Sequence, residues 1–91
     1  MTIDLSAQKV LITAASSGLG KATACAFQRA GARVAICARG AEQLADAQRE
    51  IEALTGEPVF AKVTDLTQLA DIQTLCNNLQ GAWGGVDVLV N

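Results

Sequence analysis

An α/β fold, built as a doubly wound parallel sheet, is what this 91-residue sequence predicts. Three observations carry that expectation. Short aliphatic runs alternate with stretches of helical periodicity, in the order βαβαβαβ. The core candidates are aliphatic, with Phe27, Phe60 and Trp83 the only aromatics, as suits strands buried on both faces. A turn of small residues and glycines joins the first run to the first helix. Right-handed crossovers make such a sheet parallel, and the expected strand order is 3-2-1-4.

Each element has its own warrant. "KVLIT", Lys9–Thr13, is β-branched and apolar, hence the first strand. From Leu19 to Ala30 the residues Leu19, Ala22, Ala26, Phe27 and Ala30 recur at helical spacing. Gly31 fits the left-handed position that ends a helix. "RVAICA", Arg33–Ala38, is the second strand. "AEQLADAQREIEALTG" reads as an amphipathic helix with Leu44, Ala47, Ile51 and Leu54 inward and Gly56 as its stop. "VFAKV", Val59–Val63, is the third strand. "TDLTQLADIQTLCNNLQGAWGG" holds a third helix, with Thr67 as N-cap and Leu69, Ile72, Leu75, Cys76 and Leu79 inward. "VDVLV", Val86–Val90, is the fourth strand, and Asn91 follows it.

Size and composition exclude several classes. The length allows one domain at most, burying about 60–65% of its unfolded surface. A net charge of −2 with no basic stripe gives no case for a nucleic-acid partner. No apolar run approaches the roughly 18 residues of a membrane span, and "MTIDLSAQK" holds no leader-like run. Cys25, Cys37 and Cys76 are odd in number, far apart and at core-like positions, so they are expected to be buried thiols in a reducing cytoplasm. The sequence holds no His and no Tyr, which removes imidazole and phenol as proton carriers.

The turn "ITAASSGLGKATA" is the motif that carries function. Free N–H groups at a helix start, with the helix dipole behind them, favour an anion. A P-loop would need Gly at Ala15 and a hydroxyl at Ala22. The plain dinucleotide fingerprint would need Gly at Thr23. The spacing T-G-x-x-x-G-x-G fits at Thr13, Gly18 and Gly20, with Ala14 in place of its first Gly. The bland alternative for Gly18 and Gly20 is close strand-to-helix packing with no ligand.

With those residues in view, the sequence resembles the short-chain dehydrogenases/reductases, a Rossmann-type family. "ITAASSGLGKATA" is similar to their cofactor loop. "VTDLT" is similar to the Asp-plus-aliphatic pair that touches adenine, here Asp65 and Leu66. "WGGVDVLVN" is similar to the segment entering their N-N-A-G motif, with Asn91 as its first Asn. The resemblance implies a cofactor site at Ala14, Ser16, Ser17, Gly18, Leu19, Gly20, Arg39, Asp65, Leu66 and Asn91. It also implies a homo-oligomeric whole protein. The Cβ of Ala14 restricts positive φ and narrows the approach to the ribose.

Cofactor choice turns on the end of the second strand. An NAD-preferring site carries Asp or Glu there for the ribose 2′-OH. Here Ala38 takes that place and Arg39 follows. A guanidinium pairs with a 2′-phosphate and a carboxylate repels it. NADP(H) is therefore the expected cofactor, with NAD(H) as the alternative. The support rests on one side chain, because the glycine loop has Ser17 where the family often places a basic residue.

In the family a Tyr-x-x-x-Lys pair, an upstream Ser and a later Asn do the chemistry. None of these can be assigned here, since Tyr is absent and Lys9, Lys21 and Lys62 fall in the nucleotide half. Two readings stand. In one, residues 1–91 are the N-terminal part of a dinucleotide-binding domain of an oxidoreductase acting on a carbonyl/alcohol pair, inactive alone. In the other, they form a self-sufficient, non-catalytic nucleotide-binding or interaction module.

Overall fold

The computed structural model describes residues 4–91. Four strands and three helices alternate: β1 Lys9–Thr13, α1 Gly18–Arg29, β2 Arg33–Ala38, α2 Ala41–Thr55, β3 Phe60–Val63, α3 Leu69–Trp83 and β4 Val88–Val90. The sheet is wholly parallel in the order β3-β2-β1-β4, as the crossover rule requires. β1 is central, pairing Lys9–Thr13 with Arg33–Cys37 on one side and Val10–Ile12 with Val88–Val90 on the other.

Strand alternation divides the core into two layers. Val10, Ile12, Val34 and Ile36 face α1 and α2, where Ala24, Leu44, Ala47 and Ile51 cover them. Leu11, Ala35 and Cys37 face α3, which meets them through Leu75 and Leu79, with Phe60 and Trp83 alongside. The far end of that layer is pinned by Lys9. Its ammonium donates to the Trp83 carbonyl at 2.7 Å, at the negative end of α3. Its backbone N–H donates to Asp87 Oδ2 at 2.9 Å, and the Asp87 N–H returns a bond to the Lys9 carbonyl at 2.8 Å. The Arg33 guanidinium lies 5.5 Å from the centre of the Trp83 ring, and Phe60 meets that ring edge-on at 6.0 Å.

Several expected details shift. β3 starts at Phe60, with Val59 buried just ahead of it, and β4 is shorter, starting at Val88. The buried face of α1 is Ala24 and Gln28, not the Leu19–Ala22–Ala26 stripe; Leu19 is 84% exposed. Ala24 is the small residue that packs against the sheet, and Gly20 lies against the Ala14–Ala15 turn. Gln28 follows one turn later and donates to Thr55 Oγ1 and the Glu57 carbonyl, tying α1 to the end of α2. Leu54 and Leu69, expected inward, are exposed, and Ile72 is half-buried. α3 contacts the sheet only in its second half, on the Leu75–Leu79–Trp83 line. Cys76 sits one position off that line and is exposed, whereas Cys37 is buried and Cys25 half-buried. Gln68, not Thr67, is the N-cap of α3. Gly31 and Gly56 take the expected left-handed φ of 90° and 80°.

Candidate functional site

The carboxyl ends of β1, β2 and β3 open onto one cleft of about 350 Å³. After β1 the wall is Ala14, Ser16 and Ser17. The end of β2 adds Cys37, Ala38, Arg39 and Gly40. The loop after β3 adds Thr64, Asp65, Leu66 and Thr67.

The first wall is a tight turn. Ala14 adopts φ 52°, the left-handed conformation its Cβ was expected to resist, at a cost of about 1–2 kcal/mol. The turn is held from behind: Ala15 is fully buried and its N–H donates to the Cys37 carbonyl at 3.3 Å. The two glycines have different tasks. A Cβ on Gly20 would overlap the Ala14 carbonyl oxygen, so Gly20 lets α1 start hard against the turn. Gly18 has φ 58° and nothing within 4 Å of where a side chain would project. Close packing thus explains Gly20, and an open, left-handed approach explains Gly18.

The start of α1 is also bare of negative charge. Ser17 is the N-cap, but its hydroxyl makes no capping bond, and no acid lies in the first turn. α2 and α3 carry Glu42 and Asp71 in theirs. Lys21, one turn in, is drawn sideways to Glu50 at 3.0 Å. First-turn N–H groups without a side-chain cap suit an anion.

The other two walls meet at an ion pair. Arg39 is 78% exposed, and its Nε lies 4.0 Å from Asp65 Oδ2. The two loops are joined at their base by the Thr64 N–H, which donates to the Ala38 carbonyl at 2.9 Å. Asp65 is firmly held. Thr67 donates to its Oδ1 from the hydroxyl at 2.6 Å and from the backbone at 2.9 Å. Its own N–H donates to Asp71 Oδ2 at 2.9 Å. The two Thr67 bonds, with the Arg39 charge adding to them, hold the Asp65 carboxyl below the usual carboxylate range. Burial pushes the Cys37 thiol up, so it stays protonated at the cleft floor.

Six of the ten residues singled out from the sequence line this cleft: Ala14, Ser16, Ser17, Arg39, Asp65 and Leu66. Gly18, Leu19, Gly20 and Asn91 do not. Asn91 follows β4, on the other side of β1, where the Thr13 hydroxyl approaches its Oδ1 at 3.4 Å. Asp71 and the site role of Thr67 escaped the sequence reading. Asp65, Thr67 and Asp71 spell an Asx turn running into a first-turn acid, a pattern that was there to be read.

The sequence profile described as short chain dehydrogenase matches residues 8–91. The chain belongs to the short-chain dehydrogenase family. A short chain dehydrogenase/reductase of Gibberella zeae is 36% identical over 87 residues, 96% of this chain and 32% of its own length. L-sorbose reductase of Gluconobacter frateurii, solved with NADPH and L-sorbose, superposes with a TM-score of 0.93 at 30% identity. It covers all of this chain and is itself covered to 35%. An NADPH-bound short-chain oxidoreductase of Pseudomonas aeruginosa, with an atypical catalytic center, gives 0.92 at 33% identity over 98% of this chain and 35% of its own. The chain thus spans about a third of these short-chain dehydrogenases, and over that third it superposes closely on the two solved structures. Among the described residues no helix is long and apolar enough to cross a membrane, and no group of three His, Cys, Asp or Glu could hold a metal ion.

Proposed function

We propose that residues 1–91 are the NADP(H)-binding, N-terminal part of a single dinucleotide-binding domain in a short-chain oxidoreductase that interconverts a carbonyl and an alcohol. One observation carries the cofactor choice: Arg39 stands at the cleft mouth, and the neighbouring strand-end position is Ala38. A 2′-phosphate meets a guanidinium there and no carboxylate on β2. The NADPH held by the Gluconobacter and Pseudomonas relatives supports this reading.

The residues present fit such a group. The uncapped first turn of α1 and the open face of Gly18 receive the pyrophosphate, with Ser16 and Ser17 beside it. Asp65 and Leu66 flank the adenine. Asn91 and Leu19 belong to the wall on the nicotinamide side. Bound NADP(H) supplies or accepts the hydride. This segment binds and orients; with no Tyr or His in its 91 residues, it leaves proton movement to residues outside it. The free thiols suit a reducing cytoplasm.

Kinetic constants of the full-length protein with NADPH and NADH test the reading. NADPH is expected to be preferred, and Arg39→Asp to abolish or reverse the preference, with a loss on the order of 1.5–3 kcal/mol for one charge-assisted contact. Equal constants for the two cofactors in the unmutated protein would overturn it. Cofactor binding with no turnover by the full-length protein would favour a non-catalytic nucleotide-binding module instead.

A further inference from the structure

We propose that Asp65 sets the strength of the preference for a phosphorylated ribose, by holding the Arg39 guanidinium that would otherwise meet the 2′-phosphate. The inference rests on the reading of Arg39 given above. Its basis is an asymmetry within the 4.0 Å ion pair. Asp65 is the fixed partner. Its side chain is 29% exposed, both Thr67 donors hold Oδ1, and Asp71 holds its backbone N–H. Oδ2 is the oxygen left to face Arg39. Arg39 is the movable partner. It is 78% exposed, and among the described residues Asp65 is the only carboxylate it meets. A phosphate arriving at the ribose therefore meets a guanidinium whose charge is already partly offset by an acid that stays where it is.

The cost of that competition falls on one class of ligand only. A ribose with a free 2′-OH leaves the Arg39–Asp65 pair intact. A 2′-phosphorylated ribose has to share or break it. Asp65 is therefore a specificity-determining residue acting through Arg39, in addition to any contact it makes with the base. Removing its charge should sharpen selection for the phosphorylated ligand.

The test is calorimetric titration of the full-length protein, at low salt, with 2′,5′-ADP and with 5′-AMP. Both ligands carry the same adenine, so any change in the base contact cancels in the ratio of their affinities. Asp65→Asn keeps an oxygen to accept from Thr67, and its fold is checked by its melting curve. That variant is expected to raise the 2′,5′-ADP to 5′-AMP ratio about two- to fivefold, in the range of an exposed ion pair. The rise should vanish when Asp65→Asn is combined with Arg39→Ala. A ratio unchanged or lowered by Asp65→Asn, in a protein whose ratio falls with Arg39→Ala, overturns this inference alone. A rise that survives in the Arg39→Ala background is plain repulsion, and overturns the claim that Asp65 acts through Arg39. A ratio indifferent to Arg39→Ala overturns the underlying reading of Arg39 as well.

Discussion

The Ala14 carbonyl oxygen fills the space that a Cβ on Gly20 would need. The obstacle is backbone, so it cannot swing aside as a flexible side chain would. Gly20→Ala should therefore destabilise the fold by about 1–3 kcal/mol, the usual cost of overpacking, despite the gain in helix propensity. Thermal unfolding of the full-length variant checks this. A variant as stable as the original would mean that the turn can move.

Ala14 should respond in the opposite sense. Its φ of 52° is strained for alanine and free for glycine. Ala14→Gly relieves about 1–2 kcal/mol of strain and returns about 0.4–1 kcal/mol through the looser unfolded chain. The net expectation is a gain between zero and about 1.6 kcal/mol in a denaturant titration. A measurable loss would show that the Ala14 methyl contributes contacts which outweigh the strain.

Asp65 should titrate low because of Thr67. Its folded pKa lies below the unfolded value of about 3.9. Its contribution to stability is therefore present above that unfolded value and is lost as pH falls through the folded one. Thr67→Ala removes the hydroxyl donor and keeps the backbone donor. The Asp65 midpoint, followed by carboxyl carbon NMR, should rise part of the way to its ordinary value. No change would remove Thr67 as the cause.

The four-strand fold was legible in the sequence because it rests on redundant signals. Aliphatic runs, glycine stops and the handedness rule all give the same order. The errors cluster where a helix face had to be assigned. Leu19, Ala22 and Ala26 look like an inward stripe, yet the helix sets Gly20 against the Ala14–Ala15 turn and Ala24 against the sheet, and their smallness hides both from a hydrophobicity pattern. Leu69 looks inward by spacing, but only the second half of α3 reaches Leu11, Ala35 and Cys37. In the cleft, Arg39 and Asp65 could be nominated singly from their places at strand ends. The expected strand order already set β2 beside β3, but the 4.0 Å pairing depends also on their register, with Ala38 opposite Val63, which no hydrophobic pattern gives.

The 91 residues produced alone should self-associate. β4 is one of the two sheet edges, and Val86 and Leu89 are 37% and 58% exposed. Leu89 borders an apolar groove of about 390 Å³ that also takes in Leu11, Cys76 and Leu79. An apolar strand edge of this kind recruits further strands, and a small domain has little stability to set against that. Sedimentation of the mass-verified segment should show dimers or larger species. A cooperatively folding monomer at high concentration would contradict this and favour a self-sufficient module.

The same preparation should also turn over no carbonyl or alcohol substrate with either nicotinamide cofactor. Absorbance at the reduced-nicotinamide band provides the assay, and any sustained turnover would refute the placing of the proton-transfer residues outside this segment.

Trp83, boxed by Arg33, Phe60 and the Lys9 contact, has a spectroscopic consequence. It is the only indole in the segment, and no tyrosine accompanies it. Its neighbours come from the amino ends of β1, β2 and β3, whereas the cleft lies at their carboxyl ends, about 15 Å away along five-residue strands. The emission of the segment is therefore a single-site signal from the end remote from the nucleotide. It should shift sharply when α3 leaves the sheet, and hardly at all when 5′-AMP enters the cleft. Unfolding and adenine-nucleotide binding can thus be followed in one cuvette as separate events.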